Sequence, residues 1–423
     1  MKHVITNLKQ VRFSIKRSVL LAGLILMQGS ISAQVGVQNA IFQWIGNPKK
    51  VMVLDSLINQ SSLLALNKSD YNTIAIKKLT QHPENLLNYK DSLSIELAIQ
   101  KTATHFFNDL AYGNKPPSLD YRGAKFEMIA YNIPALIKMY HQKNQLSNLV
   151  EDLNQKSIEV KMILDTLNIL QKSNHKNQTK INLLIKAAND YRWLNAVRNN
   201  HRIILVNIPS AQLKVYDGST ITLQMKLILG KASTPTKTLS TYIKQVTINP
   251  YWTVPKSIIV NEMLPKIQQD ISYLSRNHLE VLGTNYKPLN AYQINWFNVD
   301  LLNFPYIIRQ ATGCENALGI LKLEFDSPFS MYLHDTPEKQ LFGYKNRFFS
   351  HGCMRMEKPV AMGRLLLEDN LQAIDSIDLT KCYLNPKPIF IPVAKKTPLV
   401  VWYSQVDFDT NNNLLIYKNV YNR

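Results

Sequence analysis

Apolar positions recur at helical spacing through the first half of this 423-residue chain and at strand spacing through much of the second. Leu54, Leu57, Ile58, Leu63 and Leu64 share one helical face. Leu93, Leu97, Phe107 and Leu110 share another, which stops at Gly113 and Pro116-Pro117. A third face runs through Leu149, Leu153, Val160, Leu164 and Leu167. The polar tract Asn174–Lys180 then predicts an exposed loop, and Ala187–Leu194 a short last helix. His82, His105 and His141 lie singly in this half and read as surface or satisfied core residues.

At Arg202 the period changes. Ile203–Asn207 and Gln212–Tyr216 are β-rich, and Asp217-Gly218 marks a hairpin turn. Ile221–Leu229 and Tyr242–Asn249 continue the strand pattern up to Pro250. Lys256–Pro305 is different, mixing short helical segments such as Glu262–Gln269 with a polar loop around Gly283-Thr284-Asn285. So long a segment between core strands is usually functional. Beyond it the pattern predicts a short strand Phe329–His334, an amphipathic helix Val360–Asp369, and strands within Pro388–Pro392, Leu399–Val406 and Asn413–Tyr417. The expected fold class is α+β and multidomain. A helical domain occupies 34–200 and a mostly-β domain 201–384, with an insertion at 256–308. Residues 385–423 form an extension packing on the β domain.

The N-terminal end has a pattern of its own. Residues 1–17 carry Lys2, Lys9, Arg12, Lys16 and Arg17 and no acid, and Ser18–Ala33 is apolar and ends in small residues. That is the layout of a secretory signal peptide, with cleavage expected after Ala33, although Ile31 is bulky for its place before the cut. An uncleaved anchor is the alternative, but the apolar run is shorter than the ~20 residues of a spanning helix. The chain is expected to be exported, to a periplasm or cell envelope. Its formal charge of +19 stays clearly positive without those five cations. The lysines are scattered and no nucleic-acid motif is present, so an anionic envelope polymer fits the charge better than nucleic acid. A composition rich in Lys, Asn and Ile accounts for it equally well.

The densest chemistry lies between Met331 and Met356, where His334 is followed by Ser350-His351-Gly352-Cys353-Met354-Arg355. A cysteine attacks as thiolate, and a nearby imidazole can take its proton. Gly352 permits a sharp turn that brings backbone amides toward whatever Cys353 attacks, so the Gly352 and Cys353 amides are candidate oxyanion donors. Read from the residues, this is a Cys–His acyl-transfer site. A small buried cysteine beside an idle histidine is the plainer reading. A zinc site of His334, His351 and Cys353 is disfavoured, because His351-x-Cys353 is too tight for one tetrahedral ion and no fourth ligand is nearby. Cys314 and Cys382 could pair in an oxidising compartment and leave Cys353 free; three cysteines make no disulfide framework.

The string SHGCMR, with His334 nineteen positions before Cys353, resembles the signature of the YkuD-type L,D-transpeptidases. YLHDTPEKQLF followed by RFFSHGCMR is similar to their YcbB-like branch. Three further pieces agree in order: Arg202–Pro209, Asn249–Pro255, and Arg309-Gln310 leading to Asn316-Ala317-Leu318-Gly319. The resemblance implies a YkuD-fold catalytic domain, a helical scaffold domain before it, and a capping subdomain at the insertion, here expected to be a mobile lid. No peptidoglycan-binding module is recognisable in the scaffold half.

By the same resemblance, Cys353 matches the nucleophile and His334 the general acid and base. His351, Gly352, Ser350 and Arg355 are supporting residues, Arg355 holding a substrate carboxylate or a structural acid. Trp252, Tyr251 and Tyr332 are candidates for the substrate groove. Cys353 would form a thioester with a peptidoglycan tetrapeptide stem, and an amine of a second stem would resolve it into a 3-3 cross-link. Resolution by water would make the enzyme an L,D-carboxypeptidase, and resolution by a protein lysine would tether a protein to the wall. A non-catalytic envelope-binding scaffold is the alternative from another class. No cofactor or metal is expected, no nucleic acid, and cell-envelope proteins are further candidate partners.

Overall fold

The computed structural model describes residues 43–81, 89–174, 177–198, 201–302, 304–368, 370–375, 377 and 385–423. The signal-like segment 1–33, His82 and Cys382 lie outside the described residues. The chain divides into two packing units, Met1–Lys115 with Ala130–Arg192, and Pro116–Ile129 with Trp193–Arg423.

The first unit is helical: α1 (Pro48–Asn59), α2 (Ile74–Gln81), α3 (Tyr89–Tyr112), α4 (Ile133–Gln142), α5 (Leu146–Asn154), α6 (Ile158–Lys172) and α7 (Gln178–Arg198). Side-chain caps start three of them: Asn132 accepts from the Ala135 amide, Ser157 from the Val160 amide and Asn177 from the Lys180 amide. Parts of the apolar faces read from sequence meet in one core, in which Leu54, Ile58, Phe107, Leu110, Leu149 and Leu153 are buried together, whereas Leu97 is exposed. Glu96 is also buried there and is bonded by the amides of Gln43, Trp44 and Ile45 at 2.7–2.9 Å, which ties the incoming chain to α3. Gly113 ends α3 at φ +78°, and a Cβ on it would lie 2.5 Å from Asn189 O, so both backbone and space demand glycine. The short helix expected at Ala187–Leu194 is part of the 21-residue α7. Its residues around Ala187, Ala188 and Tyr191 are buried on several faces, which erases the amphipathic signal.

The second unit is built on one sheet. Among the described residues its strands are β1 (Tyr121–Arg122), β2 (Arg202–Asn207), β3 (Gln212–Asp217), β4 (Thr220–Gly230), β5 (Leu239–Ile248), β9 (Leu321–Phe325), β10 (Leu333–His334), β11 (Phe348–Ser350), β12 (Met354–Met356) and β13 (Ile389–Trp402). They run in the order β1-β5-β13-β2-β3-β4-β12-β10-β9, with β11 on β4 and β9 also paired to β5. Residues 116–129 pack with this unit and lay β1 along β5. In the C-terminal segment, β13 lies between β5 and β2 inside the sheet. The sequence splits β13 in two because its register shifts between Pro392 and Thr397, where Lys395 and Lys396 reach solvent.

The insertion has its own core. β6 (Trp252–Thr253), β7 (Leu279–Leu282) and β8 (Ile307–Gln310) form a three-stranded sheet in the order β6-β8-β7. It buries Val254, Ile259, Met263, Ile267, Trp296 and Ile308 as a separate cluster. A helical turn at Lys256–Ile258 widens into a π-helical turn at Ile259–Met263 before α8 (Leu264–Gln269) and α9 (Ser272–Arg276). Pro265 explains the widening, since it has no N–H for the preceding turn and its ring crowds the carbonyl there. The helix predicted at Val360–Asp369 is α10 (Pro359–Leu366). β14 (Val406–Phe408) and β15 (Leu414–Ile416) form a closing hairpin, held by a buried ion pair between Asp407 and Lys214 on β3 at 2.6 Å.

Candidate active site

β10 and β12 are parallel neighbours, with Leu333 opposite Met354 and His334 opposite Arg355. Strand alternation sends Leu333, Met354 and Met356 into the core, where all three are fully buried. Tyr332, His334, Cys353 and Arg355 are thereby turned to the other face, and all four line one cavity of about 500 Å³. His334 ends β10 and Cys353 immediately precedes β12, so the two candidate catalytic groups are diagonal neighbours across that strand pair.

The turn before Cys353 is held from behind. Gly352 has φ +111°, a conformation open to glycine and strained for other residues. Ser350 Oγ accepts from the Gly352 amide at 3.2 Å and donates to the Cys353 carbonyl at 2.6 Å. Thr236 Oγ1 donates to the Gly352 carbonyl at 3.0 Å and accepts from the Gly230 amide at 2.9 Å. Tyr421, two residues from the C-terminus, donates its hydroxyl to the Gly230 carbonyl at 2.6 Å. The Gly352 amide is thus already engaged, which leaves the Cys353 amide as the better oxyanion candidate of the two.

His334 is buried and its Nδ1–H donates to the Asp335 carbonyl, so the lone pair sits on Nε2. Burial holds its pKa down at about 3, helped by Arg355, Lys322 and Lys339 and opposed by the Asp335 bond. It is a neutral imidazole at physiological pH. Cys353 is a free cysteine, half-buried, and burial pushes its thiol up. The Tyr332 amide and hydroxyl oppose that shift, as do the Lys322 and Arg355 charges. The Cys353 thiol donates to the Ser330 carbonyl at 3.9 Å, and burial pushes the Tyr332 pKa well up. The resting pair is therefore thiol plus neutral imidazole, and proton transfer must accompany attack.

Motifs on the far side of His334 support it. Asp335 accepts from the Ile320 amide at 3.0 Å and pairs with Lys339. Gly319 sits at φ +59° with a virtual Cβ 2.3 Å from Asp335 Oδ2, so nothing larger fits. Gln310 Oε1 accepts from the Ala317 amide at 2.8 Å and Asn316 Oδ1 from the Leu318 amide at 2.8 Å, folding that loop against β8.

Most predicted site residues meet in the cavity. Trp252, Tyr332, His334, Ser350, His351, Gly352, Cys353 and Arg355 all border it. Tyr251 does not; its ring lies under the Arg309 guanidinium at 4.0 Å. Arg355 is paired with Glu338, the structural-acid option. Sequence reading missed Glu262, Thr236 and Tyr421. Glu262 lies on the π-turn of the insertion, and its Oε1 is 2.6 Å from His351 Nε2. Nothing local in the sequence marks these three, since each acts on a residue about 90 positions or more away. Cys314 is disulfide-bonded. Among the described residues no group of three or more His, Cys, Asp or Glu is arranged to hold a metal ion.

Residues 201–369 match the family described as YkuD, L,D-transpeptidase catalytic domain. This stretch is similar to the YkuD-type L,D-transpeptidase catalytic domain. A Haemophilus influenzae protein named "Putative L,D-transpeptidase" is 28% identical over 278 residues, 63% of this chain and 56% of its own length. The chain thus spans little more than half of that relative. Among solved structures, an L,D-transpeptidase from Mycobacterium smegmatis overlaps 47% of this chain and 58% of its own at 13% identity and a TM-score of 0.22. The catalytic domain of an Enterococcus faecium L,D-transpeptidase overlaps 48% of this chain and 96% of its own at 12% identity and a TM-score of 0.22. In the matched stretch, the cavity lies where β10 and β12 meet the insertion, beside the Ser-His-Gly-Cys turn.

Proposed function

We propose that the chain is a cell-envelope peptidoglycan L,D-transpeptidase that works through a Cys353 thioester and forms 3-3 cross-links between stem peptides. The observation that carries this reading is a free Cys353, just before β12, and a neutral His334, at the end of neighbouring β10, lining one cavity. His334 Nε2 would take the thiol proton as sulfur adds to the carbonyl that precedes the terminal D-residue of a tetrapeptide. The Cys353 amide would receive the developing oxyanion. The imidazolium would then protonate the departing amine, and the terminal D-amino acid leaves. An amine of a second stem resolves the thioester.

The finer assignments rest on the same motifs. Similarity of YLHDTPEKQLF and RFFSHGCMR to the YcbB-like branch supports placing the protein there, and the basic, apolar N-terminal run supports export. The insertion carries its own core and contributes Trp252, Ile258, Glu262, Met263 and Lys266 to the cavity wall, which supports a capping role that excludes water. Incubating the purified chain with disaccharide tetrapeptides tests the proposal. Dimers linked 3-3 support it; tripeptide products without dimers would mean an L,D-carboxypeptidase instead. Binding without any product, unchanged by Cys353→Ala, would mean a non-catalytic scaffold.

A further inference from the structure

Glu262 and His351 form an acid–imidazole pair beside the candidate nucleophile that the first half of the reaction does not use. His351 Nε2 is 2.6 Å from Glu262 Oε1. A carboxylate can only accept, so Nε2 carries the proton and Nδ1 of the neutral ring keeps the lone pair. Both side chains are part-exposed, 33% for His351 and 44% for Glu262, and both line the Cys353 cavity. His334 is their opposite in every respect: buried, bonded to a backbone carbonyl, and ringed by Arg355, Lys322 and Lys339. Arg355, Lys322 and Lys339 are each paired with an acid, Glu338, Glu324 and Asp335, yet all three act against a proton on His334. A cation approaching His351 meets the Glu262 carboxylate.

The acceptor of an L,D-transpeptidase thioester is a primary amine, and in neutral water it arrives as an ammonium. It must lose a proton before its nitrogen has a lone pair to offer. We propose that His351, oriented and charge-compensated by Glu262, is the base that takes this proton, so that the cavity selects a cationic amine as acyl acceptor. This rests on the thioester reading given above. The balance is as follows: His351 Nδ1 takes one proton from the ammonium, and the freed nitrogen pair forms the N–C bond at the thioester carbonyl. The C–S bond breaks with its electron pair going to Cys353 sulfur. The second nitrogen proton returns to that sulfur through His334, and His351 releases the first to solvent. Glu262 stabilises the transient imidazolium without being protonated itself, the role of the acid in a serine-hydrolase triad.

The charged and titratable groups lining the cavity with the pair are Lys266, one turn along from Glu262, Lys237, Tyr273, Tyr332, His334, Cys353 and Arg355. Lys237 and Lys266 favour a carboxylate on the same acceptor.

The test compares two amine acceptors on the full chain after acylation by a tetrapeptide donor. Nα-acetyl-lysine presents an ammonium; hydroxylamine is uncharged at neutral pH and needs no such proton removal. The quantity read is the rate of transfer divided by the rate of Cys353 acylation, measured for the native chain, Glu262→Gln and His351→Gln. For both variants the ratio should fall at least about 10-fold with Nα-acetyl-lysine, in the range of a lost general base. It should fall much less with hydroxylamine, and Glu262→Asp should recover part of the loss. Equal losses with both acceptors, or no loss with either, would overturn the proposal while leaving the thioester reading intact. Absence of any Cys353 acyl-enzyme in the native chain would overturn both.

Discussion

The Tyr332 ring stands edge-on to the His334 imidazole, with 5.6 Å between centroids, and its hydroxyl is among the groups that favour the Cys353 thiolate. One side chain thus bears on both members of the proposed pair. Tyr332 was expected to be a groove wall; it is closer to the chemistry than that.

Removing that hydroxyl should make the thiol harder to ionise. Tyr332→Phe deletes a donor that favours the thiolate. The pH profile of Cys353 alkylation by iodoacetamide should therefore move to higher pH, and the rate at pH 7 should fall roughly 3- to 30-fold, as for loss of a charge-assisted hydrogen bond. An unchanged profile would show that the hydroxyl does not bear on the sulfur.

His334 should make the protein acid-sensitive. Its pKa is about 3 in the fold against an ordinary 6.5, so between those values the unfolded chain binds a proton the native one refuses. Stability is complete above about pH 6.5 and declines as pH falls toward 3. Urea unfolding from pH 7 to pH 4 should show this slope, and His334→Gln should flatten it. His141 in the helical unit is also held down, to about 4, and adds a slope of the same sign, so the test is the difference between the two curves.

Two glycines should respond differently to alanine. At Gly352 a Cβ has its nearest neighbours at 3.8 Å, so Gly352→Ala costs only the strain of φ +111°, about 1–3 kcal/mol. At Gly319 the same strain is joined by a Cβ 2.3 Å from Asp335 Oδ2. Thermal unfolding should rank Gly319→Ala as the more destabilised, while Gly352→Ala should lose the greater share of its acylation rate relative to stability.

Thr236 should report on the brace behind the turn. Thr236→Val removes the hydroxyl that joins Gly230 to Gly352, at an expected cost of about 1–3 kcal/mol. Thr236→Ser should restore both stability and acylation, and Tyr421→Phe should mimic part of the loss. A Thr236→Ser variant as impaired as Thr236→Val would point to packing rather than the hydrogen bonds.

How much of this was legible beforehand follows from how local each signal is. The strands β2 to β5 were readable because apolar alternation and the Asp217-Gly218 turn are local. His334 and Cys353 stood out because reactive residue types cluster around a glycine. β13 was misread as two pieces because a bulge bearing Lys395 and Lys396 breaks its apolar run, and its place inside the sheet depends on pairing with residues nearly 200 positions earlier. Helix α7 looked short because burial on several faces hides helical periodicity. Glu262 carried no signal at all: its meaning depends on a π-turn set by Pro265 and on a histidine 89 positions later.

The central claim is that Cys353 carries the acyl group of the stem peptide. The most direct measurement is intact mass of the chain, quenched during turnover of a disaccharide tetrapeptide, followed by peptide mapping. The account predicts one adduct, heavier by the donor less its terminal D-amino acid, on the peptide containing Cys353. It should be slowed roughly 100-fold or more by His334→Ala. Cys353→Ala should show neither adduct nor 3-3 dimers. Dimers still formed by Cys353→Ala, or an adduct mapped to any other residue, would contradict it.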